Sequence, residues 1–237
     1  AAGGTASGPN AAPTNSTAPP APPRIELTVQ QLRLANDDAR ITASGSWHTG
    51  QGAQRWPGVL ALQGTLRDGR ATAVARYLPL ALDAGTRHWV QRAVQAGSVP
   101  QLDFLVRGDL ARFPFPEPQD GAFRLQAQLQ GVTLNAVPDP ADGHWPAYTD
   151  LAGELVIERQ ALQLRQLHGR VDGLNLALDG VKGDIRHLGH AALLEISGTA
   201  RGPASELLRH VQLSPVGGWL DHALARTTAS GAAELDL

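Results

Sequence analysis

From Ala122 to Gln130 the side chains change character at every step: Phe123, Leu125, Ala127 and Leu129 alternate with Arg124, Gln126, Gln128 and Gln130. An extended strand sends the first set to one face and the second to the other, whereas a helix of 3.6 residues per turn would mix them. Runs of the same kind, bounded by Gly, Asp, Asn or Pro, are expected as strands at 40–47, 59–66, 70–76, 101–110, 122–130, 132–137, 151–158, 161–167, 169–172, 174–178, 181–185 and 192–200. Earlier still, Ile25, Leu27 and Val29 share one parity and Leu32 and Leu34 the other, so a β-bulge is expected at Gln30 and Gln31. The chain is therefore predicted to be mostly β, built on an antiparallel sheet with one greasy face and one wet face.

Turn chemistry at Arg67-Asp68-Gly69, Asp120-Gly121 and Asp179-Gly180 suggests hairpins there. Two segments break the two-residue period. Over 83–96 a helical stripe of Leu82, Thr86, Trp89, Val90, Ala93 and Val94 forms, with Gly97 placed to cap it. Over 205–211 Leu207, Leu208 and Val211 make a second short helix, and 219–225 is a weaker third. A Gly-x-(Leu or Ala) step at Gly64, Gly108, Gly153 and Gly198 hints at an internal repeat, but the intervening segments do not match and coincidence is the better reading.

Composition narrows the function classes. Residues 1–23 carry only one kind of content, small or polar residues and proline, too little apolar surface to offset ordering entropy, so they are expected to be a flexible linker ahead of a module at 24–237. The net charge of −2, with no block of like charges, excludes a polybasic groove for nucleic acid. Cysteine is absent, which removes disulfides, thiolate metal sites and a thiol nucleophile. Methionine is absent too and the chain begins at Ala1, so it is expected to be a fragment of a longer protein whose signal peptide or anchor lies elsewhere. Its apolar runs are much shorter than the roughly 20 residues needed to span a bilayer.

Alternation by itself fits a closed β-sandwich core better than an open surface, since an uncovered apolar face is an aggregation hazard. A set of motifs argues the other way. Arg76-Tyr77-Leu78-Pro79, the helix carrying Trp89 and Ala93, Gly97, then Gly108 with Phe113-Pro114-Phe115, Gly121-Ala122-Phe123 and finally Trp145-Pro146 follow one another in an order that resembles the YhdP-type, AsmA-like family. Val90 after the helix tryptophan and the Pro- and Asp-rich stretch 134–144 depart from the family's pattern. The resemblance implies a curved, twisted antiparallel sheet forming an open groove, in the periplasmic portion of an inner-membrane-anchored Gram-negative protein that carries phospholipid toward the outer membrane. It also implies, as partners, phospholipid acyl chains and neighbouring modules of the same chain, with membrane contact only through parts outside this fragment and no nucleic acid.

Under that reading the candidates for lipid contact are the one-sided apolar residues Phe104, Val106, Phe123, Leu125, Leu129, Leu155, Ile157, Leu162, Leu164, Leu176, Leu178 and Ile196. The motif residues Arg76, Tyr77, Leu78, Pro79, Trp89, Phe113, Pro114, Phe115, Trp145 and Pro146 are expected to be architectural: a strand end leading into the helix, a core anchor, and a corner where proline is tolerated. A second function class is a periplasmic scaffold for outer-membrane protein assembly that acts by β-strand addition at a free edge. A third is a carbohydrate-active β-sandwich enzyme using two of Asp103, Asp109, Glu154 and Glu158, although nothing in the sequence brings any two together.

No nucleophile elbow, phosphate loop or dinucleotide fingerprint occurs, so no enzyme and no cofactor are expected. His187-x-x-His190, with Asp184 and Glu195 nearby, has a metal-like spacing, but it falls in a turn and no metal site is expected there. Asp37 and Asp38 sit in an Asn-Asp-Asp turn, where carboxylates bond the local backbone rather than calcium.

Overall fold

The computed structural model describes residues 23–51, 55–79, 82–139, 144–188 and 192–237. All but Pro23 of the expected linker falls outside them, as does His190.

Ten strands make one antiparallel sheet in which neighbours in sequence are neighbours in space: β1 Glu26–Ala35, β2 Arg40–His48, β3 Val59–Arg70, β4 Val94–Asp109, β5 Gly121–Leu134, β6 Tyr148–Glu158, β7 Ala161–Val171, β8 Ala177–Ile185, β9 Glu195–Pro203 and β10 Ala232–Asp236. The sheet is not closed: β1 and β10 are its edges, with no pairing between them among the described residues. The expected mostly-β class with an open sheet holds, and the closed sandwich does not. Antiparallel neighbours need no crossover, so the meander accommodates the tight link from Glu158 to Ala161 and the long insertions described next alike.

The helices are confined to two insertions. Between β3 and β4 a 3-10 turn at Ala71–Ala73 runs into α1 (Val74–Tyr77) and then α2 (Ala84–Ala93). Between β9 and β10 come α3 (Ala204–Leu213) and α4 (Pro215–Trp219). Both insertions leave from the same end of the sheet, the one at which β3, β5, β7 and β9 terminate. Asp83 caps α2 by accepting from the Thr86 N–H at 2.8 Å.

Several expected boundaries move, for one shared reason. Arg67-Asp68-Gly69 does not turn the chain: β3 runs through it with Asp68 at φ 53°, and residues 71–77 are helical rather than a strand. Likewise β5, β7 and β8 run unbroken where two strands each were expected, through Gly131 (φ 60°), Gln166 (φ 52°) and Gly180 (φ 58°). A β-bulge and a tight turn use the same residues and the same positive φ; register shifts beside Gly131, Gln166 and Gly180 show bulges, whereas β3 keeps its register on β4 across Asp68. The bulge expected at Gln30 and Gln31 is present, between Val29 and Leu32.

Gly97 does not cap α2. The helix ends at Ala93, and Gly97 lies inside β4 at φ 106°. The third helix occupies 215–219 instead of 219–225, because Pro215 supplies a first helical position that needs no N–H. Strand β10 carried too short an alternation to be anticipated. The four repeat-like glycines fall on β3, β4, β6 and β9, so the equal spacing in sequence matches one, two and three strand steps and marks no structural unit.

Candidate functional site: the uncharged face of the sheet

Register builds the site. One row crosses nine strands through directly opposed residues: Leu34, Ile41, Leu66, Leu102, Ala127, Leu155, Leu164, Gly183 and Ile196. Two residues along, a parallel row holds Leu32, Ala43, Gly64, Phe104, Leu125, Ile157, Leu162 and Ile185. A third contains Val29, Gly45, Leu62, Val106 and Phe123. No charged side chain stands in any of the three. At about 4.8 Å between strands, the first row is roughly 38 Å long.

Most of this surface is only half-buried, because among the described residues no second layer packs on its middle. Toward the two ends of the first row exposure rises, to 53% at Leu34 on β1 and 51% at Ile196 on β9. The strand ends, by contrast, are sealed. At the helical end Ala71, Val132 and Leu151 form one buried cluster and Val171, Leu174 and Leu176 another, the second packed under Leu207 of α3. Tyr148 touches both, and burial pushes its phenol above the ordinary tyrosine value. At the opposite end Phe115 is fully buried over Gly108 and Gly121, with Phe113 set edge-on to it and against Phe123 at 5.0 Å between ring centres. Beside it Trp47 stacks on Trp56 at 5.4 Å. The result is a lane that runs across the strands, walled along both sides and open at both edges.

All twelve candidate residues lie on this face. Phe104, Leu125, Ile157 and Leu162 share one row; Leu155, Leu164 and Ile196 share another; Val106 and Phe123 pair in the third. The remaining three sit toward the helical end, where Leu129 packs against one cluster, Leu178 against the other, and Leu176 is sealed at 1% exposure. Leu176 is thus part of the wall and not of the open surface. Missed were Leu34, Ile41, Leu62, Leu66, Leu102 and Ile185, all of which extending the alternation into β1–β4 and β8 would have found.

The motif residues hold the walls together. Arg76 pairs with Asp38 at 2.8 Å, while the Tyr77 hydroxyl donates to the same carboxylate at 3.3 Å and accepts from Asn36 at 2.8 Å. Asp38 is buried, and Arg70 approaches its other oxygen at 3.8 Å. The Asn36 side chain in turn accepts from the Asp38 and Ala39 N–H groups, so the Asn-Asp-Asp stretch is a turn bonded to its own backbone that clamps α1. Leu78 and Pro79 leave α1 in extended form instead of ending a strand. Trp89 is a half-exposed anchor that donates to the Ala136 carbonyl at 3.1 Å, and Trp145 lies against His210 and Trp219, followed by buried Pro146. Phe113-Pro114-Phe115 forms the expected corner.

The reverse face is chemically opposite. Its matching row reads Arg33, Thr42, Thr65, Asp103, Gln126, Val156, Gln163, Asp184 and Glu195. Cross-strand pairs tie it together, among them Arg124 to Glu158 at 3.3 Å, Arg165 to Glu154 at 3.3 Å, and Arg201 to Asp179 at 3.1 Å and Glu234 at 2.8 Å. Gln101 and Thr65 donate to Asp103 and hold its carboxyl below the ordinary aspartate range. The four carboxylates considered for glycoside cleavage are absorbed here: three in these ladders, and Asp109 in accepting from the Ala111 N–H. A hollow of about 510 Å³ on this face is lined by Gln30, Gln31, Gln63, Asp103 and Arg124 together with Leu105. Among the described residues no group of His, Asp and Glu could hold a metal ion.

The chain matches the YhdP protein family over residues 21–237. It belongs to that family. Membership suggests a role in lipid transport in general terms, and an association with the cell envelope. No individual curated protein and no solved structure matches it. Among the described residues no helix is long and apolar enough to cross a membrane.

Proposed function

We propose that this YhdP-family chain is a lipid-binding module of an intermembrane phospholipid transport protein, and that acyl chains lie on the uncharged face of its sheet, across the strands. The observation that carries the reading is the set of rows without a single charge that stays half-exposed over eight or nine strands. Burying a methylene from water is worth about 0.8 kcal/mol, so such a surface can retain a fatty chain with no polar ligand at all. Residues 24–237 act as one module behind the linker 1–23, and the work is binding and passage rather than catalysis. Its setting is the periplasm of a Gram-negative cell, in a protein anchored in the inner membrane. The polar head of the lipid stays in water beyond the lane.

Incubating the protein with vesicles of phosphatidylethanolamine and phosphatidylglycerol, re-purifying it and weighing it by native mass spectrometry is expected to reveal retained phospholipid. Leu125→Asp, which puts a charge in the middle of a row, is expected to lose it. A lipid-free wild type, or equal retention by the variant, would remove the basis of the reading.

The free edges β1 and β10 favour a second function, a scaffold that adds a strand from an outer-membrane protein client. Proline placed in β1 would abolish client capture there while leaving lipid retention intact, which separates the two.

A further inference from the structure

Resting on the lane described above, we propose that glycines on the uncharged face are seats that set the depth of the lane, and that Gly183 beneath Leu164 keeps it continuous from β7 to β9. Leu164 and Gly183 are directly opposed. A Cβ built on Gly183 would meet Leu164 first, at 3.1 Å from Cδ1 and 3.4 Å from Cβ and Cγ. The leucine therefore leans over the glycine and buries it, although among the described residues no second layer covers this part of the sheet.

The arrangement recurs. A Cβ at Gly64 would lie 2.6 Å from Phe104 Cζ, and one at Gly153 would lie 2.7 Å from Leu167 Cδ2. Under a covered core such seats would serve packing alone. Here two of them fall within half-exposed rows, where the height of each side chain is the height of the floor that a ligand meets. Reclined side chains give a level surface, on which an extended acyl chain can cross from strand to strand without a step. Gly183 is the informative seat because its φ lies outside the left-handed region, so a substitution adds volume without straining the backbone. A leucine there would force Leu164 upright and raise a barrier between Leu155 on one side and Ile196 on the other.

The test uses the whole 237-residue chain, loaded with phosphatidylethanolamine bearing a diazirine-labelled palmitoyl chain, irradiated, and mapped by peptide mass spectrometry. Wild type is expected to carry adducts on β4 and β5 and also on β9. In Gly183→Leu the β9 adducts are expected to fall about fivefold relative to those on β4 and β5, since overfilling forces the neighbour to move. The exchange Gly183→Leu with Leu164→Gly, which keeps the volume and returns a seat, is expected to restore the ratio. Should Gly183→Leu lose its β-sheet circular dichroism, Gly183→Ala takes its place, with an expected drop of about twofold. An unchanged ratio in a folded variant, with β4 and β5 still labelled, overturns the seat; a wild type with no adducts on the uncharged face overturns the lipid reading beneath it.

Discussion

Leu125 and Gln126 are consecutive on β5, yet they belong to surfaces with opposite demands. Gln126 points to a face whose charges already have partners across the strands, as in Arg124 with Glu158, Arg165 with Glu154 and Arg201 with Glu234. Such a face is content in water, and each exposed pair adds little to stability. Leu125 points to a face that, among the described residues, has no partner over its middle, only side chains reclining on one another. A folded protein normally hides an apolar area of this extent under a second layer. Here the helices cover only one strand end and the Phe113–Phe115 corner the other. The difference teaches that the sheet is held together by its ladder and its two sealed ends, while among the described residues nothing covers the middle of the uncharged face.

The largest way to break the comparison is at a sealed end. Phe115→Ala empties a fully buried site and is expected to cost about 3–5 kcal/mol in urea unfolding, far more than any polar-face substitution. Next, the same substitution at adjacent residues should divide the faces. Leu62→Asp is expected to lower phospholipid retention about tenfold, equivalent to about 1.4 kcal/mol, whereas Gln63→Asp leaves it unchanged; native mass spectrometry reads both. A third, smaller effect belongs to the ladder. Arg165→Ala is expected to cost less than about 1 kcal/mol, and to cost less still in high salt, because its carboxylate partner is only partly shielded from water.

The smallest effect is a pH dependence on the polar face alone. Hydrogen bonds from Gln101 and Thr65 depress the folded Asp103 carboxyl. The unfolded state therefore takes up the proton first as the pH falls. The stability that Asp103 contributes is complete above the ordinary aspartate range and disappears as the pH drops through its folded value. Thermal melts of wild type and Asp103→Asn should differ at neutral pH and converge in acid. Lipid retention should follow neither change.

Much of this was legible from the residues. Parity divided each strand into an apolar and a polar side, the family resemblance selected the open reading, and the apolar stripe over 83–96 announced α2. Boundaries were harder, because Asp68-Gly69 and Asp179-Gly180 have the chemistry of a hairpin turn. Whether such a pair reverses the chain or bulges within it depends on how far the neighbouring strands extend, and that is not local information. The same holds for Leu176, whose alternation matches that of Leu178 but which α3 seals.

By itself, then, the order of residues determined the two faces, since side-chain direction in a strand alternates with every residue whatever surrounds it. It also determined the motif order that points to the YhdP family. Tertiary structure alone decided that no second sheet among the described residues closes over the uncharged rows, that both helical insertions gather at one end, and that large side chains recline on glycines across the strand gap. Each of these depends on which distant segments come to lie opposite one another, and a run of alternating residues looks the same whether its apolar side meets protein, lipid or water.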